Sequence, residues 1–155
     1  MKLLFNPIFI APILKRTKRS TLRREPPEGL KMHMFIECAT PDGAVFADAF
    51  CNGVETATLY TDGIGELVAE NPFYPHMDDF LWQIEGFPTQ AEFNRWMLGH
   101  YPDLATQAIT FTLATFWHAT VRPGHPLYAS ASASEPAPSS NKKPAASRQP
   151  LAASR

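Results

Sequence analysis

Between residues 32 and 127, apolar runs of strand length are separated by turn residues at a regular interval. Pro41-Asp42-Gly43, Asn52-Gly53, Asp62-Gly63 and Asn71-Pro72 fall about ten residues apart. Proline presets φ at the second turn position, and Gly and Asn accept the positive φ that tight turns need. The intervening segments 33–40, 44–51, 54–61 and 64–70 carry β-branched and aromatic residues, and two-residue Asn-Gly and Asp-Gly loops are strong hairpin signals. The pattern predicts a four-stranded antiparallel meander. Alternation within it is imperfect: Val54, Thr56, Thr58 and Tyr60 oppose Glu55, Ala57 and Leu59, and neither set is cleanly polar. Phe80, Trp82 and Ile84 alternate better against Leu81, Gln83 and Glu85, which predicts a fifth strand.

The period then changes from two to about 3.6. Thr89-Gln90-Ala91-Glu92 has the form of a capping box, and Phe93, Trp96, Met97 and His100 follow at helical spacing. Pro102 pushes the residue before it out of the α region, so a helix is expected over 90–100. Residues 103–121 carry two patterns. Asp103 after Pro102 resembles an N-cap for a helical face of Leu104, Ala108, Ile109, Leu113, Phe116 and Trp117, while Ile109, Phe111 and Leu113 alternate with threonines as a strand would. The cap and the length favour a helix. The expected fold class is α+β, an antiparallel β-meander of four or five strands packed on one face by two helices.

Charge divides the 155 residues more sharply than hydropathy does. Residues 1–31 carry eight Lys or Arg against two Glu, residues 32–127 two against twelve acids, and residues 128–155 four against one, for net charges of +6, −10 and +3. The tail 128–155 is Ala, Ser and Pro with nothing large to bury, the composition of a disordered segment. Residues 1–31 follow a short apolar run, broken by Asn6, Pro7 and Pro12, with Lys15, Arg16, Lys18 and Arg19. That run is too short for a transmembrane segment and its charge opposes export. A disordered basic segment is expected here, with a start at Met32 or Met34, a surface anchor or a nucleic-acid arm as other readings. The acidic globular domain is then 32–127.

No motif names a reaction, so the expected role is non-catalytic, with no cofactor. His76, Asp78 and Asp79 share one loop and could serve a small metal-dependent hydrolase, but their spacing matches no zinc signature. Asp62-Gly63-Ile64-Gly65-Glu66 lacks the third glycine and the lysine of a phosphate loop. Two basic residues in 32–127 leave the core unsuited to direct nucleic-acid binding, which depends on Lys and Arg. Cys38 and Cys51 lie out of register across the 41–43 turn and should stay unbridged, as in a reducing cytoplasm. An acidic body attracts basic surfaces. The expected function is therefore a small acidic binding module, of the phage- or plasmid-type inhibitor kind, docking on the basic surface of a nucleic-acid-handling protein. Glu66, Glu70, Asp78 and Asp79 are its candidate contacts, with Tyr74 as an aromatic anchor. A structural interaction protein with no electrostatic partner is the remaining alternative.

Overall fold

A computed structural model of the chain describes residues 1–124. The tail expected to be disordered lies outside them, as does His125. The described residues form a mixed α+β fold in which six strands share one sheet. Strands β1 (Lys2–Leu4), β2 (Ser20–Arg23), β3 (Met34–Ala39), β4 (Val45–Thr61), β5 (Leu67–Glu70) and β6 (Ile109–Val121) are joined by helices α1 (Ile10–Leu14), α2 (Asp78–Ile84) and α3 (Gln90–His100). The path across the sheet is β1-β3-β4-β6-β2, with β5 also on β4. β1 runs parallel to β3 and every other pair is antiparallel.

The spine is β4, whose 17 residues extend roughly 55 Å at strand rise. It replaces two expected strands and the hairpin between them. Asn52-Gly53 is not a turn: the pairing with β6 slips between Cys51 and Gly53, as at a β-bulge. Glycine is needed there because a Cβ would lie 2.6 Å from the Thr115 hydroxyl. The bulge also explains the poor alternation. Cys51 faces one side of the sheet with Phe116, while Ala57 and Leu59 face the other with Phe111 and Ile109.

Two cores result, one on each face. Leu3, Phe5, Ile36, Cys38, Phe46, Ala49, Cys51 and Phe116 fill the concave side with Ile13 of α1, and Leu59, Leu67, Ala69, Phe111 and Leu113 meet α2 and α3 on the convex side. The expected α3 is present with its bounds, and the Thr89 hydroxyl accepts from the Glu92 backbone N–H. Two further expectations fail. Residues 80–85 are largely helix α2, because Phe80, Leu81, Trp82 and Ile84 all pack against the convex core. Residues 109–121 are strand β6, whose two faces serve the two cores, a role a helix could not fill.

The N-terminal segment is also part of the fold. β1 and β2 lie at the two ends of the strand path, and Leu3, Phe5 and Ile13 are buried. The disordered segment, the surface anchor and the free arm are therefore set aside, and a chain starting at Met32 or Met34 would lack both strands. Its +6 joins the −10 of the centre, so residues 1–124 carry a net −4. Ile13→Ala should cost about 2–5 kcal/mol, and deletion of residues 1–14 should abolish the cooperative urea transition. A truncated chain with the full-length midpoint would overturn this placement.

The cysteines are free and buried, with Cys38 opposite Ala47 and Cys51 opposite Met34. Burial pushes the Cys38 thiol up to about 12. Its folded value exceeds its unfolded one, so the associated stability is complete below about pH 9 and lost as pH rises toward 12, roughly 4 kcal/mol at most. Urea midpoints between pH 8 and 11 should fall more steeply in the native protein than in Cys38→Ala. Parallel slopes would remove the thiol from this account.

Candidate functional site

The sheet curls until its two edges approach one another without pairing. One Arg23 nitrogen, Nη2, on β2 donates to the Leu4 carbonyl on β1 at 2.5 Å, and between these strands a cleft of about 160 Å³ opens under α3. A cavity of that size holds one six-membered ring. Leu4, Phe5 and Asn6 form one wall, Lys18, Thr21, Leu22 and Arg23 another, and Trp96, Met97, His100 and Tyr101 the roof.

At its floor lies a buried ion pair. Lys18 is 2% exposed and Glu85 5%. Lys18 Nζ donates to Glu85 Oε2 at 2.6 Å and to the Glu85 backbone carbonyl at 3.1 Å, and the Ser20 hydroxyl donates to Oε1 at 2.5 Å. Nζ also sits 4.4 Å from the centre of the Phe9 ring, a cation–π contact. Burial draws the lysine below its ordinary value, opposed by the adjacent Glu85 carboxylate. Gly86 makes the approach possible: its φ is +84°, and a Cβ there would fall 2.6 Å from that of Lys18.

Two further groups of β2 line the cleft. Arg23 lies over the Phe5 ring, 5.1 Å from its centre. Thr21 is buried, and among the described residues its hydroxyl makes no hydrogen bond. Aromatic rings complete the walls: Phe9 meets Phe87 and Trp96 edge-on at 5.7 and 5.1 Å, and Trp96 stacks on His100 at 3.8 Å. This combines a planar slot with a hydroxyl, an amine and a carboxylate, the components of acyl-transfer chemistry.

The expected contact residues do not gather here. Glu66 and Glu70 stand at either end of β5, about 13 Å apart at strand rise. Tyr74 packs edge-on against Phe80, and Asp78 and Asp79 begin α2. Among the described residues no three His, Cys, Asp or Glu side chains form a group able to hold a metal, His76, Asp78 and Asp79 included. Other carboxylates are engaged locally: Glu37 and Asp48 hold Arg122, Asp103 meets Arg24, and Asp42 accepts from Thr40. Among the described residues no helix is long and apolar enough to cross a membrane.

The convex face also carries a row of rings beyond the helices. Phe35 pairs in register with Phe50, and Phe50 with Trp117; Phe35 is 78% and Trp117 55% exposed.

Neither a protein-family model nor a curated protein matches the chain. Among solved structures, the crystal structure of ASCH from Zymomonas mobilis is similar with a TM-score of 0.47 and 16% identity, covering 77% of this chain and 68% of that one. A point mutant of that protein gives 0.46 and 15%, with 77% and 70% covered. Likeness at this level does not carry activity from one protein to another.

Removing one partner of a buried pair strands the other charge. Lys18→Met should therefore lower stability by about 3–5 kcal/mol, and Lys18→Met with Glu85→Leu should recover at least half of that, read from urea unfolding. Additive losses in the double variant would show that the two side chains are not coupled.

Proposed function

We propose that the cleft hydrolyses an amide or ester borne on a single planar ring, with Thr21 as nucleophile and the Lys18–Glu85 pair moving the proton. The observation that carries this reading is a lysine held against a glutamate in a ring-sized cavity that Thr21, whose hydroxyl makes no hydrogen bond among the described residues, also lines. Buried ion pairs add little net stability compared with apolar packing, and perturbed groups in clefts mark functional sites more often than chance. The pair also ties α2 to β2, which is the competing structural role.

In the proposed reaction Lys18 passes a proton to Glu85 across their 2.6 Å contact and takes up the Thr21 proton in its place as Thr21 Oγ1 bonds to the carbonyl carbon. The tetrahedral adduct collapses, the bond to the leaving nitrogen or oxygen breaks, and that atom takes the proton back from Lys18. Water then attacks the acyl-threonine, loses a proton by the same route and frees the acid and Thr21. Glu85 returns the shuttled proton to Lys18 when the cycle ends. An acidic docking module, the role expected from charge, draws less support, because residues 1–124 sum to −4 and Glu37, Asp48, Glu85 and Asp103 already face cations.

Release of nitroaniline from p-nitroacetanilide and of nitrophenolate from p-nitrophenyl acetate tests the reading. Thr21→Val should lose about 10²-fold or more in kcat/KM with an unchanged unfolding midpoint, since it removes a hydroxyl that supports no neighbour. Equal rates for the two proteins, or no turnover of either compound, would overturn it.

A further inference from the structure

We infer that His100 makes the cleft selective for amides over esters by accepting a hydrogen bond from the amide N–H. This rests on the hydrolytic reading above and specifies its substrate class. His100 is the last residue of α3 and lines the cleft beside Trp96. Its ring is fixed twice, by stacking on the indole at 3.8 Å with a 27° interplanar angle, and by Nδ1 lying 2.9 Å from the Trp96 backbone oxygen.

The second contact decides which nitrogen carries hydrogen. A carbonyl oxygen only accepts, so Nδ1 must donate. In the neutral imidazole Nε2 is then a bare acceptor, on the side of the ring turned away from its own helix. Among the described residues nothing donates to Nε2.

The charged groups of the cleft have the opposite character, while the Thr21 and Tyr101 hydroxyls can donate or accept. Lys18 and Arg23 can only donate, and both Glu85 oxygens already accept, from Lys18 and Ser20. A ligand carbonyl is thus served by donors at the floor, while a ligand N–H finds its acceptor at His100 in the roof. An amide offers both groups and the matching ester offers only the first. A site built to pair a donor discriminates against the analogue lacking it.

Binding is measured in a Thr21→Val background, which slows turnover about 10²-fold or more, with acetanilide and phenyl acetate as ligands and tryptophan fluorescence as readout. With His100 present, acetanilide should bind about tenfold tighter than phenyl acetate. His100→Gln, which can return an acceptor near the Nε2 position, should keep most of that preference. His100→Asn, which retains a donor for the Trp96 carbonyl but reaches no further, should reduce it to about twofold or less, with phenyl acetate affinity unchanged. Preference retained in His100→Asn would overturn the inference, as would equal binding of the two ligands with His100 present. A His100-dependent preference in a protein whose unmutated form turns over neither compound would sustain the inference while removing hydrolysis. Turnover without that preference would do the reverse.

Discussion

An ammonium and a carboxylate can be taken out of water only together, and that constraint organises this molecule. Lys18 precedes β2, Glu85 ends α2, and their contact at 2.6 Å fixes the end of a convex-face helix against an edge of the sheet. Ser20 and the Glu85 carbonyl satisfy remaining hydrogen-bonding capacity around the pair, and Phe9 covers the ammonium. The backbone is shaped to allow it. Arg19 N–H donates to the Ile84 carbonyl at 2.6 Å, and Gly86 adopts positive φ where any side chain would strike Lys18. Without this knot, α2 would have only its apolar side to hold it, and β2 would lose its tether on the side away from β6.

Local patterns were legible where one physical signal dominated. Thr89 and Glu92 mark the start of α3 unambiguously because capping depends on neighbours in sequence, and Pro102 marks its end. The mixed α+β class also followed from the change of period. Asn52-Gly53 misled because the same glycine that permits a turn also permits close approach of a neighbouring strand, and Thr115 is that neighbour. Residues 80–85 alternate in apolarity yet form a helix because four of them, Phe80, Leu81, Trp82 and Ile84, meet a core that lies outside the segment. In β6, apolar residues on both faces imitate a helical stripe, since a strand between two cores has no polar side.

The site was nearly illegible. Lys18 sits among Lys15, Arg16, Arg19, Arg23 and Arg24, and composition cannot single out the one cation that is buried. Its partner lies 67 residues away, a separation no local pattern bridges. Charge summed along the chain was a poor guide for a related reason: the basic stretch and the acidic stretch fold onto one body, so a segregation real in sequence is much reduced in space. His100 was visible as part of the α3 stripe, but its orientation comes from stacking on Trp96, a tertiary fact.

The cleft exists because the sheet does not close. Among the described residues β1 pairs only with β3, and β2 only with β6. Full pairing of these edges would consume their main-chain groups and fill the gap with backbone. A single side-chain link, Arg23 to the Leu4 carbonyl, instead holds the edges at a distance set by a guanidinium. Polar side chains at an ordinary edge discourage association with other chains. Here they are roofed by α3 and partly dried by Phe5, Phe9, Phe87 and Trp96, so the same residues act in a lower dielectric, where hydrogen bonds and proton transfers are electrostatically stronger. The opening that costs this sheet its closure is thus what places a hydroxyl, an amine and a ring slot together.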